Sequence, residues 1–207
     1  MTDDPKADVH SPWPATRRYG LVPAPGALAL VQDLVNTSPA AREPDLLAEL
    51  VGARQWMDSA TAQWSAATGL PVPEVVLDAD GLQELRAFRD DLREVVMRAH
   101  NAAPDTRSAA PMLHSAAAAL QLAPDGSVRL QPEETGQQAL VMLVLAALYE
   151  GQLAGTRVRL KTCRNPQCPL AFYDRSRNAS GVWCSVRICG NAINLRAHRD
   201  RRRLQGT

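Results

Sequence analysis

Apolar residues recur at helical spacing over most of this chain. Leu28, Val31, Leu34 and Val35 fall on one side of a segment from Gly26 to Val35, predicting a first helix that ends at Asn36-Thr37-Ser38. Pro44-Asp45 opens a second, with Leu46, Leu47, Leu50, Val51, Met57 and Trp64 mostly three, four or seven apart, and Gly69 and Pro71 stop it. The sharpest stripe is Leu82, Leu85, Phe88, Leu92, Val95 and Val96, which predicts a third helix from about Asp80 to Asn101. A fourth, from Glu133 to about Gly151, is apolar around much of its circumference and so belongs at the centre.

Between the last two helices the pattern changes. Pro124-Asp125-Gly126 separates Leu120-Gln121-Leu122 from Val128-Arg129-Leu130, which predicts a short hairpin. Residues 1–24 carry four prolines and no apolar period, and are expected to form a weakly ordered, flexible arm. The expected architecture is mainly α: a helical bundle with a small β-hairpin over residues 25–153, followed by a separate C-terminal module over 155–207. In that module Val158-Arg159-Leu160 reads as a strand leading into a cysteine-bearing segment.

Composition changes this picture little. Hydrophobic residues are 45% and charged residues 22%, ordinary for a globular chain, and aromatics at 4% are too few for an extended base-stacking platform. Charge changes it more. Residues 155–207 hold twelve Lys/Arg against two Asp, +10, leaving eleven basic and twenty acidic residues before them, −9, out of totals of 23 and 22. Such asymmetry points to an anionic partner for the basic part. No basic-then-apolar leader opens the chain, and Ala139 to Tyr149 is too short to span a bilayer, so a cytoplasmic protein without membrane contact is expected.

The candidate chemistry is concentrated in Cys163, Cys168, Cys184 and Cys189, the chain's four cysteines, spaced C-x4-C-x15-C-x4-C. In a reducing compartment, four thiols in matched pairs are metal ligands rather than disulfides, and four protein sulfurs leave no open position for substrate. One structural Zn2+ is expected. The insert between the pairs holds Phe172-Tyr173-Asp174 and Gly181-Val182-Trp183, which read as the two strands of a hairpin. Because five helical residues rotate by about 500°, Cys184 must precede the following helix and Cys189 lie near its first turn. Loop, hairpin and helix in that order make a treble-clef-like zinc finger.

From Gly190 the residues suit a helix, with Arg196, Arg199 and Arg203 at i, i+3 and i+7. Arg187, Asn191, Arg196, Arg199, Arg202 and Arg203 are the candidate nucleic-acid-binding residues, since arginine forks fit phosphate and the guanine edge. A solvated basic tail is the blander alternative, as is docking on the acidic half. Elsewhere, Asn36-Thr37 reads as a helix C-cap, Asp78 or Asp80 as an N-cap, and Trp56 and Trp64 as core residues before pocket residues. The histidines are scattered and phosphate-binding glycine loops are missing, so no catalytic residue is assigned and no enzyme is expected.

The segment C-R-N-P-Q-C-P-L-A-F-Y-D-R-S-R-N-A-S-G-V-W-C-S-V-R-I-C-G-N, residues 163–191, closely resembles the CGNR-type zinc finger of bacterial proteins. A-L-A-L-V-Q-D-L-V-N-T-S, residues 27–38, resembles the ABATE domain that usually precedes it. The resemblance implies a stress-linked transcription regulator whose finger binds DNA, with the helical domain as sensor of a small-molecule ligand, dimerisation module or protein-partner site. Ala192 stands where the motif carries its arginine, and Arg196 lies one turn further on. The alternative is an interaction module whose finger holds RNA or protein. A homodimer would strengthen the weak grip of one small finger.

Overall fold

In a computed structural model, the described residues are 12–41, 43–101 and 113–196, with side chains described to residue 96 in the second span. Helix α2, Leu28–Val35, lies at the centre, and every residue in it is buried. Around it pack α3 (Leu50–Thr68), α4 (Ala79–Asn101) and α5 (Gly136–Leu153). Most of the apolar stripe predicted for the third helix faces inward: Leu82, Leu85, Phe88, Leu92 and Val96 join Leu140, Leu143 and Val144 of α5 in one core, whereas Val95 is only half-buried and stands outside it. Asp78 caps α4, its carboxylate accepting the Gly81 N–H at 2.8 Å. The hairpin also forms, with β1 (Ala118–Leu122) antiparallel to β2 (Val128–Pro132) and Leu120 opposite Leu130.

Two local expectations need correction. Residues 13–24 are not a loose arm: the short helix α1 (Pro14–Arg17) packs on α2, burying Trp13, Ala15 and Thr16. Burial of a large apolar side chain contributes about 1.5–3 kcal/mol, so Trp13 alone anchors the segment. Residues 1–11 lie outside the described residues. The second helix begins at Leu50, not at Asp45. Asp45 instead closes a turn, accepting the Leu47 N–H at 2.8 Å, and pairs with buried Arg89 at 2.7 Å. That pairing holds the Asp45 segment against α4 and out of helical register.

The polar residues of α2 are as buried as its leucines. Asp33 accepts the Thr16 N–H at 2.7 Å and the Trp56 indole N–H at 2.9 Å, which ties α1 and α3 to α2. Burial pushes the Asp33 carboxyl up, against the opposing effect of the Trp56 and Thr16 donors. Protons therefore bind the folded protein more readily at this site than the unfolded one. Its contribution to stability is fully present below the unfolded value of about 3.9 and is lost as pH rises through the folded value. A carboxyl-detected NMR titration should place the Asp33 midpoint above that of an exposed aspartate; a midpoint below it would contradict the assigned burial effect.

Arg18 closes the other end of α2. Its guanidinium donates to the carbonyls of Asn36, Thr37 and Ser38 at 2.9–3.0 Å and of Pro44 at 2.7 Å. A cation at a helix C-terminus also complements the dipole. Among the described residues no helix is long and apolar enough to cross a membrane.

A four-sulfur site docked on the helical core

After α5, a 3-10 turn at Arg157–Arg159 leads into β3, Leu160–Thr162, which pairs antiparallel with β4, Ala171–Tyr173. The strand read at Val158-Arg159-Leu160 thus begins two residues later. The cysteine loop 163–168 lies between β3 and β4. The Cys163 N–H bonds the Leu170 carbonyl at 2.9 Å and the Cys168 N–H the Asn165 carbonyl at 2.8 Å, which folds the first cysteine pair into a knuckle.

This differs from the hairpin expected inside the insert. Gly181-Val182-Trp183 forms no strand with β4, because the free edge of β4 is already occupied. Asn36 receives the Ala171 N–H on its Oδ1 at 2.8 Å and donates from Nδ2 to the Ala171 carbonyl at 3.1 Å. One side-chain amide thus replaces a neighbouring strand. Gln32 donates to the same carbonyl at 3.4 Å. Asn36 does occupy the C-cap position of α2, but its side chain grips the finger instead of the helix end. The Val182 carbonyl is taken by the Arg164 N–H at 2.9 Å.

A buried ion pair braces the insert. Lys161 and Asp174 are 2% and 4% exposed and stand 2.7 Å apart; the Lys161 ammonium also donates to the carbonyls of Ala179 and Gly181. Burial alone would raise the Asp174 carboxyl, but hydrogen bonds from Lys161, Ser176 and Gly181 outweigh it and hold it well below the usual carboxylate range. Buried pairs survive only when every charge is satisfied in this way. A Cβ at Gly181 would stand 2.8 Å from Asp174 Oδ1, so Gly181→Ala must displace the carboxylate. A loss of about 1–3 kcal/mol is expected, checked by urea unfolding of the zinc-loaded protein. An unchanged midpoint would mean that the pair relaxes freely.

Cys184 precedes the last helix and Cys189 lies inside its first turn, the arrangement that the five-residue spacing requires. That turn, Val186–Gly190, is a π turn, continuing as α-helix over 191–196. Ser185 caps it, accepting the Ile188 N–H at 3.3 Å. All four sulfurs lie within 4.8 Å of one another, with Cys168 to Cys184 and Cys184 to Cys189 both 3.7 Å. Thiolates about 2.3 Å from zinc in a tetrahedron stand about 3.8 Å apart, so the cluster fits one zinc ion.

The sulfurs perturb one another strongly. Hydrogen bonds from Cys168 and Cys184 draw the Cys163 thiol down, while Cys163 pushes Cys168 up. Cys163, Cys168 and burial together raise Cys184 far above the ordinary thiol range. Four thiolates this close are stable together around a cation, which is the donor chemistry that zinc satisfies.

The basic residues of the module divide into two groups. Arg159 donates to the carbonyls of Asp174 and Ser176, Lys161 is buried, and Arg175 donates to the Pro23 carbonyl at 2.7 Å and lies over the Tyr173 ring. These three hold the module together and to the helical core. Arg187, Asn191 and Arg196 are exposed on the last helix, with Arg196 donating to the Gln167 side chain. Arg199, Arg202 and Arg203 lie outside the described residues. Sequence reasoning missed Gln32, Asn36 and the Lys161–Asp174 pair as site-building residues.

Residues 159–202 match the model of the CGNR zinc finger. Residues 28–151 match the ABATE model, described as a putative stress-induced transcription regulator. No curated protein matches the chain. With more than half its length covered by the second model and the four sulfurs gathered within the first, the chain belongs to the ABATE family and carries a CGNR zinc finger at its C-terminal end.

Proposed function

We propose that the protein is a zinc-dependent DNA-binding transcription regulator of the bacterial cytoplasm. Residues 155–207 dock on DNA, while residues 25–153 receive the signal or hold a partner. The observation carrying this reading is the four-sulfur cluster at the start of a helix whose outward positions include Arg187, Asn191 and Arg196, within a segment of net charge +10. Zinc is structural here: four protein ligands fix the helix start and leave no open coordination position. Arg187, Asn191, Arg196, Arg199, Arg202 and Arg203 supply the phosphate and base contacts, and Arg196 takes the place of the motif arginine that Ala192 lacks. The ABATE description supports a regulator as the reading.

Five or six phosphate contacts give a slope of log affinity against log salt of about −5. Replacing Arg196, Arg199 and Arg203 together with alanine should weaken duplex binding and bring the slope to about −2, measured by fluorescence anisotropy. Identical binding by the triple variant would remove this helix from the interface. One observation favours an alternative protein- or RNA-binding role for the finger: Val186, Ile188 and Leu195 on the same helix are 70%, 67% and 57% exposed. Binding that resists salt, or prefers single strands, would support that alternative.

A further inference from the structure

Two adjoining cavities, of about 360 and 340 Å³, share Trp64, Leu70 and Leu130 in their walls. The first runs between the chain leaving α3 and strand β2; the second continues between α3, α5 and the start of α2 at Gly26 and Ala27. Together they form a trough of mixed lining, apolar at Trp64, Leu70 and Leu130 and polar at its carboxylates, large enough for a small organic molecule. Trp64 is therefore both core residue and wall, whereas Trp56 is committed to Asp33.

Charge around the trough is one-sided. Glu74, Glu133 and Glu134 line the first cavity and Glu150 the second, against Arg129 alone, a balance of −3. Arg129 itself faces Asp125 at 3.8 Å. We propose that this trough binds a lipophilic cation, an aromatic or otherwise apolar body carrying one permanent or protonated positive centre. The apolar body fills the space bounded by Trp64, Leu70 and Leu130, and the carboxylates neutralise the positive centre.

The inference deepens the proposed sensor role of the helical domain, and ligand binding is measured without DNA, so its failure would not touch the finger's role. Tetraphenylphosphonium and tetraphenylborate have the same shape and opposite charge. Titrated calorimetrically into the full zinc-loaded chain, the phosphonium should bind saturably at one site per chain and at least about tenfold more tightly than the borate. Glu74→Gln, Glu133→Gln, Glu134→Gln and Glu150→Gln combined should weaken phosphonium binding about tenfold or more, with the unfolding midpoint unchanged. Ala146→Phe, which fills the second cavity, should weaken it independently. Equal or tighter binding of the borate, unchanged binding by the four-Gln variant, or no saturable binding of either ion would overturn the proposal.

Discussion

Replacing Cys184 with serine is expected to abolish stoichiometric zinc and to loosen the helical domain along with the finger. Structural zinc sites of this kind contribute roughly 10–16 kcal/mol of apparent binding energy, which is folding energy for the module around them. The finger does not end at its own boundary, however. Leu160 of β3 and Ala171 of β4 belong to the same core as α2, α4 and α5, with β3 packed on α4 and β4 on α2. Unfolding the finger exposes that face and strips Gln32 and Asn36 of their partners on Ala171. The cost to the helical domain is about 3–5 kcal/mol, a large share of the 5–15 kcal/mol typical of a domain. Hydrogen exchange of α2 amides, compared between wild type and Cys184→Ser, should accelerate by at least an order of magnitude. Exchange confined to residues after 155 would show two independent units.

Asn36→Leu should be nearly as damaging from the other side of the contact. Leucine is close to asparagine in size, so the space stays filled, but the Ala171 N–H loses its partner in a buried position and the Ala171 carbonyl keeps only the 3.4 Å bond from Gln32. Leaving the buried donor unpaired costs about 1–3 kcal/mol, and the acceptor's loss of its shorter bond adds to that. Asn36→Asp keeps the acceptor for the Ala171 N–H while setting a carboxylate oxygen against the Ala171 carbonyl, and should destabilise the protein more at neutral than at acid pH. Chemical denaturation of both variants with zinc bound checks this. A leucine variant as stable as wild type would mean that apolar packing alone docks the finger.

The helices and the metal cluster were legible in the chain for different reasons. Leu82 to Val96 sort onto one face because α4 has a solvent side, so periodicity reports its orientation directly. The cysteines were legible because thiolate chemistry and matched spacing constrain each other. α2 defeated the same method. Its apolar positions imply a polar outer face at Gln32, Asp33 and Asn36, yet that face is covered by α1, α3 and the finger, and polar side chains become the contact itself. Two polar residues within so short and apolar a helix, and a third at its C-cap, were the available signal. They point to internal partners only once another segment is known to lie there.

The insert was misread for a related reason. Phe172-Tyr173-Asp174 and Gly181-Val182-Trp183 have strand-like composition, but local pattern cannot tell that β3 takes one edge of β4 and Asn36 the other. Charge was overcounted in the same way. Arg159, Lys161 and Arg175 add to the positive total of the segment while serving internal contacts.

Zinc-dependent recognition of DNA is the claim on which the functional account rests, and capture of fragmented genomic DNA at physiological salt addresses it most directly. The zinc-loaded protein should enrich a small set of duplex sites, with enrichment lost after chelation and in the Arg196, Arg199, Arg203 triple variant. Uniform recovery across the genome, or recovery that survives removal of zinc, would contradict it.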